Sequence, residues 1–111
     1  EIGAVGLTEN QAKEKNIDVR TGVFPFSSSG KAYIAGKTEG FIKIIADSKT
    51  GEILGAQMVG PGASDLVHEV AVAIKGELLV DDLASTVHAH PTFSEAVMEA
   101  AKKCSKIIES K

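Results

Sequence analysis

The segment TVHAHPTFSEAVMEAA, residues 86–101, contains the side chains whose types and spacing could do chemistry. Pro91 disfavours a helical conformation for His90, so His90 should lie just before a helix whose first turn contains Glu95. Across this five-residue step, the imidazole and the carboxylate can meet. A carboxylate on one ring nitrogen supports the imidazolium and leaves the other nitrogen free as a general base. The pattern therefore indicates a candidate acid–base pair.

The same glutamate also has a structural interpretation. Thr92-x-x-Glu95 ahead of an apolar run is the sequence of a helix capping box, in which Glu95 bonds the backbone of the cap residue. His90 would then be an ordinary surface histidine, and on the pattern alone this is the more common outcome. Both interpretations stay open at the level of the residues.

His88 and His90 form an H-x-H pair. On a strand, both rings would point the same way and could begin a zinc site with His68 or Asp65. No third ligand has a recognisable spacing, and the segment leads into a helix, so a hydrogen-bonded, structural His88 is favoured. His68 lies off the apolar stripe of its own helix and should face solvent. We predict no metal site; a small metal-dependent hydrolase that uses His88 and His90 is the weakest alternative.

Two further features have a plain structural explanation. GPGASD, residues 60–65, precedes a helix but lacks the lysine and the spacing of a phosphate-binding loop, so it is interpreted as a turn. Cys104 lies on an apolar helical stripe, which indicates a core residue rather than a nucleophile. As the only cysteine, it leaves no internal disulfide and no C-x-x-C pair, which fits a reducing compartment.

The 111-residue chain has the composition of an ordinary globular protein, and we interpret residues 1–111 as a single domain. A net charge of −3 with scattered Lys and Glu predicts no nucleic acid partner and no membrane surface partner. No apolar run is long enough to span a bilayer, and no signal peptide is recognisable. Because the chain starts at Glu1 without an initiating Met, we expect a fragment of a longer protein.

The sequence pattern predicts an α+β fold, in which an antiparallel β-sheet packs against helices. Strands are predicted in residues 1–8, in residues 16–26 with Pro25 at an edge or strand end, and in a hairpin. The hairpin pairs a strand from Phe41 with a strand from Ile53, and its loop contains Gly51. Short helices are predicted after a Thr8 cap, around residues 31–35 and in residues 80–86. Strands grouped before helices favour this architecture over a parallel sheet.

Two longer helices follow from apolar residues at helical spacing. The first begins after residue 63, with Ser64 or Asp65 as its predicted cap. Its apolar face comprises Leu66, Val67, Val70, Ala71 and Ile74. The stripe of the second comprises Phe93, Ala96, Val97, Ala100, Ala101, Cys104, Ile107 and Ile108.

Three strings, HAHPTFSEA, GAQMVGPGASDLVHEVAVAIKGELLVDDLASTV and EIGAVGLTE, closely resemble one known domain. This is the C-terminal dimerisation domain of dihydrolipoamide dehydrogenases, within the pyridine nucleotide-disulfide oxidoreductase family of flavoproteins. The resemblance covers essentially the whole chain. Its specific part is His-x-His-Pro-Thr-x-Ser-Glu, because the similar glutathione and trypanothione reductases usually carry a second glutamate where this chain has Ala96.

The resemblance implies roles for three residues. In this family the domain reaches across a two-fold dimer, so that His90 would face the redox disulfide and flavin of the partner subunit, with Glu95 as its carboxylate partner. His90 would take a proton from dihydrolipoamide, and electrons would pass through FAD to NAD. The bond matching His90–Pro91 is cis in the family, and its carbonyl approaches the partner's FAD. The alternative is a pure dimerisation module of a glutathione reductase-like enzyme, with a structural His–Glu pair.

The resemblance also implies partners and a location. It predicts a homodimer, whose face we assign to the last two helices, and it predicts lipoyl-bearing 2-oxoacid dehydrogenase or glycine cleavage components as partners of the full-length enzyme. The location would be cytoplasmic, or the mitochondrial matrix in a eukaryote. The chain has no G-x-G-x-x-G fingerprint and no cysteine pair, so FAD- and NAD-binding domains are expected outside it. We therefore predict that the isolated fragment binds no cofactor and is inactive.

Overall fold

One four-stranded antiparallel sheet organises the fold in the computed structural model, which describes residues 1–105. Its strands are β1 (Ile2–Gly6), β2 (Val19–Pro25), β3 (Phe41–Asp47) and β4 (Ile53–Val59). They lie in the order β1-β4-β3-β2. Pro25 is the last residue of the edge strand β2, as its missing N–H predicted.

Within residues 1–105, five α-helices accompany the sheet. They are α1 (Glu9–Glu14), α2 (Gly30–Ala35), α3 (Ala63–Lys75), α4 (Val80–Ser85) and α5 (Glu95–Cys104). The α+β prediction is therefore confirmed. In this part of the chain, no helix has the length and apolar character needed to cross a membrane. The predicted continuation of the α5 stripe to Ile107 and Ile108 lies outside the described residues.

The predicted hairpin is confirmed between β3 and β4. Asp47 closes the loop, because its carboxylate accepts hydrogen bonds from the backbone N–H groups of Lys49 at 2.8 Å and Thr50 at 3.1 Å. Gly51 then adopts a φ of 81°, a conformation that costs a glycine little. The turn therefore sets the register in which the two apolar strands pair.

The core lies between one face of the sheet and the helices α3, α4 and α5. Its fully buried members include Ile42, Met58, Val70 and Val97. Gly22 of β2 faces α5, and a Cβ added there would collide with the carbonyl oxygen of Ala100. The glycine thus lets α5 lie directly on the sheet, which positions the whole helix.

The opposite face of the sheet contacts α1. Lys43 points away from the core, since it alternates with the buried Ile42 and Ile44 along β3. Its ammonium group pairs with the carboxylate of Glu9 in α1. The helix α1 therefore lies on the side of the sheet that is remote from α3 and α5.

The predicted cap of α1 is confirmed as a complete capping box. The Thr8 hydroxyl accepts from the Gln11 N–H at 3.1 Å, and the Gln11 side chain accepts from the Thr8 N–H at 3.0 Å. These two bonds satisfy backbone donors that the first turn of a helix leaves without partners.

The predicted cap of α3 is wrong. The cap residue is Gly62, with a φ of 72°, so the helix begins at Ala63 and both Ser64 and Asp65 already lie inside its first turn. Ser64 instead donates its backbone N–H, at 3.2 Å, and its hydroxyl to the carboxylate of Glu1. A left-handed glycine starts this helix earlier than the side-chain pattern indicated.

Candidate functional site

The loop of residues 86–94 connects α4 to α5 and carries the candidate histidine. α4 ends at Ser85 and α5 begins at Glu95. Within the loop the His90–Pro91 peptide bond is cis, as the resemblance implied. The His90 side chain is 77% exposed, so its ring is accessible to a group carried by another chain.

His90 and Glu95 form the pair that the sequence indicated. The ring nitrogen Nδ1 of His90 lies 2.9 Å from each carboxylate oxygen of Glu95. Because an ionised carboxylate only accepts hydrogen bonds, Nδ1 carries the proton when His90 is neutral. Nε2 is then the nitrogen with a free lone pair for a substrate proton. A histidine held in one tautomer by a carboxylate has the geometry that general-base chemistry requires.

Glu95 is held from two directions. Its Oε1 accepts the backbone N–H of Thr92 at 3.0 Å, and its carboxylate also receives the His90 ring. The Thr92 N–H, and after it the hydrogen bond from His90, lower the pKa of Glu95 below the ordinary value. Hydrogen bonds to the charged form favour ionisation. Glu95 is therefore an ionised partner for His90 across the neutral pH range.

The capping box predicted for α5 is only half formed. Glu95 bonds the Thr92 N–H, but the Thr92 hydroxyl donates to the carbonyl of Ala89 at 2.6 Å instead of accepting from a helix N–H. The cap residue is Ser94, and its side chain makes no capping hydrogen bond. Thr92 therefore stabilises the loop, and the expectation that it caps the helix is wrong.

We expect the Glu95 contacts to produce a defined acid dependence of stability. Because its folded pKa is lowered, this contribution is fully present above the unfolded pKa of about 4.3 and is lost as the pH falls through the folded pKa. Acid unfolding curves should show it, since Glu95→Gln removes the titrating group and should reduce the stability lost below about pH 4. Identical acid curves for the parent and the variant would contradict the assignment.

A groove of about 240 Å³ adjoins the pair. It is lined by Phe24, Ser28, Ser29, Gly30, His90, Glu95, Ala96 and Glu99. The contribution of the segment 28–30 was not predicted, because it lies some 60 residues before His90 in the chain. Nothing in its Ser/Gly-rich pattern distinguishes it from an ordinary connection. The groove offers a mixed apolar and polar surface next to the exposed imidazole.

The second histidine of the H-x-H pair has a different environment. His88 Nε2 lies 2.6 Å from Glu69 Oε2, and the His88 side chain is only 7% exposed. This contact agrees with the hydrogen-bonded, structural interpretation of His88. His68 is exposed, as predicted. Among residues 1–105, no three His, Cys, Asp or Glu side chains are grouped so that they could hold a metal ion.

The remaining candidate, Cys104, is confirmed as a core residue. It is fully buried in the main hydrophobic cluster. Its Sγ donates to the carbonyl oxygen of Arg20 on β2 at 3.4 Å. A thiol enclosed in this way packs α5 against the sheet and is not presented to a substrate.

Comparison with known proteins relates this geometry to one family. The family model described as "Pyridine nucleotide-disulphide oxidoreductase, dimerisation domain" matches residues 1–101. A dihydrolipoyl dehydrogenase of Halobacterium salinarum is 51% identical over 102 residues, which are 92% of this chain and 22% of that protein. The chain thus spans about a fifth of the length of this relative.

Two solved structures share the fold. LpdA of Mycobacterium tuberculosis matches with a TM-score of 0.84 and 32% identity, over 91% of this chain and 22% of that one. The HOCl-induced flavoprotein disulfide reductase RclA of Escherichia coli matches with a TM-score of 0.86 and 27% identity, over 90% of this chain and 23% of that one. The sheet, the helices and the matched residues agree, and the chain belongs to the dimerisation-domain family of the pyridine nucleotide-disulphide oxidoreductases.

Proposed function

We propose that residues 1–111 are the single dimerisation domain of a dihydrolipoamide dehydrogenase and lend His90 and Glu95 to the active site of the partner subunit. The observation that carries the proposal is the contact of His90 Nδ1 with both Glu95 oxygens at 2.9 Å, on a ring that is 77% exposed. A histidine held on one side and open on the other suits proton transfer to a group outside this chain. The name of the Halobacterium salinarum relative supports the substrate.

The chemistry requires such a base. A thiol with a pKa of about 8.5 is mostly protonated at neutral pH, and only its thiolate attacks a disulfide efficiently. His90 Nε2 would accept the proton of one dihydrolipoamide thiol, and the thiolate would attack a sulfur of the partner's redox disulfide. The second substrate thiol would then close the lipoamide disulfide and leave the partner's cysteines reduced. Glu95 stabilises the imidazolium formed in the first step.

The proposal assigns the cofactors to the full-length enzyme. FAD would supply the route by which two electrons leave the reduced cysteines for NAD. His90 and Pro91 are both exposed, so this part of the loop would be accessible to the partner's FAD. Lipoyl-bearing 2-oxoacid dehydrogenase or glycine cleavage components would deliver the substrate. The location would be the cytoplasm, or the mitochondrial matrix in a eukaryote.

The test is a comparison of thiol substrates with the full-length protein. Flavin reduction should be fast with dihydrolipoamide and at least a hundredfold slower with glutathione at equal thiol concentration, because a dithiol closes its own disulfide within one molecule (about 10² or more from effective concentration). The control measures the activity of a glutathione reductase, which is the reduction of oxidised glutathione by NADPH. Preference for glutathione would favour the alternative, a glutathione reductase-like enzyme with a structural His90–Glu95 pair.

We also expect the isolated chain to form homodimers, because a domain with this family role should expose an apolar patch when it is separated from its partner. Among residues 1–105, large exposed apolar side chains are absent from α4 and α5, the helices predicted to form the dimer face. Val87 is 94% exposed and Val72 is 71% exposed. Val72 lies one helical turn from Glu69. Glu69 contacts His88, which follows Val87 in the chain. Because the Glu69–His88 contact brings Val72 and Val87 close together, we propose these two valines as contacts of the dimer face.

Sedimentation of the isolated chain and its variants tests this prediction, because it measures the dimer dissociation constant. The double variant Val72→Lys/Val87→Lys should raise the dimer dissociation constant about tenfold or more, because two apolar contacts would be replaced by charges. The matched control is Ile2→Lys, which changes a residue of similar exposure on β1. A parent chain that stays monomeric at high micromolar concentration would count against dimerisation. If Ile2→Lys raised the dimer dissociation constant as much as the double variant does, the result would count against a dimer face at Val72 and Val87.

A further inference from the structure

We propose that His88 is a positioning residue, which ties the loop of residues 86–94 to α3 through Glu69 and thereby sets where His90 is presented. The proposal rests on the proposed function, because it concerns the delivery of the same base. The two histidines are separated by one residue but differ sharply in environment. The His88 side chain is 7% exposed and the His90 side chain 77% exposed.

His88 makes two hydrogen bonds to two different elements. Its Nε2 lies 2.6 Å from the Glu69 carboxylate on α3, and its Nδ1 lies 2.9 Å from the backbone carbonyl of Thr86. Thr86 is itself fixed to the last turn of α4. Its N–H donates to the Leu83 carbonyl at 3.3 Å, and its hydroxyl donates to the Asp82 carbonyl at 2.6 Å. His88 therefore joins α3, α4 and the loop.

Hydrogen-bond partners occupy both ring nitrogens of His88. A carbonyl oxygen only accepts hydrogen bonds, so Nδ1 of His88 must carry a proton to bond Thr86. A carboxylate at Nε2 also only accepts, so the 2.6 Å contact requires a further proton between His88 and Glu69. Such charge-assisted bonds are short and stronger than neutral ones. With both ring nitrogens engaged in hydrogen bonds, His88 has no free lone pair and serves as an anchor, whereas His90 can accept a proton.

His90 lies between two anchors. On its N-terminal side, His88 fixes the loop to α3. On its C-terminal side, the Thr92 hydroxyl donates to the Ala89 carbonyl, and the Thr92 N–H donates to Glu95 at the start of α5. Only one residue separates the His88 anchor from His90, so a shift of His88 moves the base directly. The C-terminal anchor alone would leave the loop free to pivot about the start of α5.

The experiment uses the full-length enzyme and measures its two half-reactions separately. Flavin reduction by dihydrolipoamide needs the base in position, and flavin reduction by NADH does not. Glu69→Ala removes the acceptor of the His88 ring and should slow the thiol half-reaction about 10- to 100-fold, because displacing a reacting group by about 1 Å can cost about 10²-fold. Reduction by NADH should stay within about twofold of the parent. His68→Ala, at the exposed position before Glu69, is the matched control and should change neither rate.

Glu69→Gln provides the rescue that separates positioning from general stability. The glutamine amide can donate to Nε2 of a neutral His88 while Nδ1–H keeps its bond to Thr86, so the anchor is retained without charge. We expect Glu69→Gln to recover most of the thiol rate lost in Glu69→Ala. If Glu69→Ala does not assemble, Glu69→Asp shortens the side chain by one methylene and should give the same selective loss.

The outcomes distinguish this proposal from the proposed function. A normal thiol rate in Glu69→Ala, equal losses in both half-reactions, or no recovery in Glu69→Gln would overturn the positioning role of His88. A His90→Gln variant is measured in parallel. If it also keeps the parental thiol rate, the proposed function itself is wrong; if it is slow while Glu69→Ala is normal, only the positioning role fails.

Discussion

Replacing His90 by glutamine in the full-length enzyme should slow flavin reduction by dihydrolipoamide about 10²–10⁴-fold, the usual effect of removing a general base. Glutamine keeps a polar side chain on the loop but cannot accept the thiol proton. The Thr92–Glu95 contact does not depend on the imidazole, so the start of α5 retains this support. Stopped-flow measurement of flavin absorbance gives the rate directly.

Flavin reduction by NADH is the internal control for His90→Gln. Hydride transfer from NADH requires no thiol deprotonation, so this half-reaction should remain largely intact. Melting curves and sedimentation of the same variant check that the dimer persists. Equal losses in the two half-reactions would indicate a structural role for His90. A parental thiol rate would show that another group accepts the proton.

Glu95→Gln should reduce the same thiol half-reaction about 10- to 10³-fold, while thermal stability at neutral pH should fall only by the small contribution of the ionised carboxylate. Glutamine still offers an oxygen to the Thr92 N–H, so the contact at the helix start survives. Its amide N–H₂ would face Nδ1 of His90 and favour the tautomer in which Nε2 carries the proton, which cannot act as a base. Replacing an orienting carboxylate by an amide in a serine protease triad costs about 10⁴-fold for this reason. Glu95 is 25% exposed, so we expect a smaller loss.

Thr92→Val is the matched control for Glu95→Gln. Valine has nearly the shape of threonine and keeps the backbone N–H that Glu95 accepts, but it removes the hydroxyl bond to Ala89. We expect a stability loss of about 1 kcal/mol, as for one hydrogen bond, with a smaller kinetic effect than that of Glu95→Gln. If Glu95→Gln instead melts early and keeps the parental rate, Glu95 is only a structural residue of the helix start, and the assigned base pair is wrong.

The local features of the fold were determined by the sequence alone. Alternation and β-branched residues located the strands, and Gly51 indicated the hairpin turn. Thr8 marked the start of α1. The His90–Glu95 contact was predictable for the same reason, because both residues lie at one helix start and Pro91 restricts the backbone between them. In each case the interacting groups are separated by only a few residues.

Other features were decided by the tertiary structure. The cap of α3 is Gly62, not Ser64 or Asp65, because this glycine takes a left-handed conformation. Ser64 instead donates its N–H to Glu1, 63 residues away in the chain. His88 could have been a ligand or an anchor, and only the packing of α3 against the loop brought Glu69, 19 residues away, to its ring.

The groove follows the same rule. Thr92 is a local exception, because its hydroxyl bonds the Ala89 carbonyl only three residues away, where the capping-box pattern predicted a helix N–H as the partner. The segment 28–30 joins the groove beside His90 because β2 and α5 lie in contact at Gly22. Short-range hydrogen bonds and periodicity depend on residue type and spacing, so they can be predicted from the chain. Contacts between distant residues depend on how the sheet and helices pack, which no short pattern specifies.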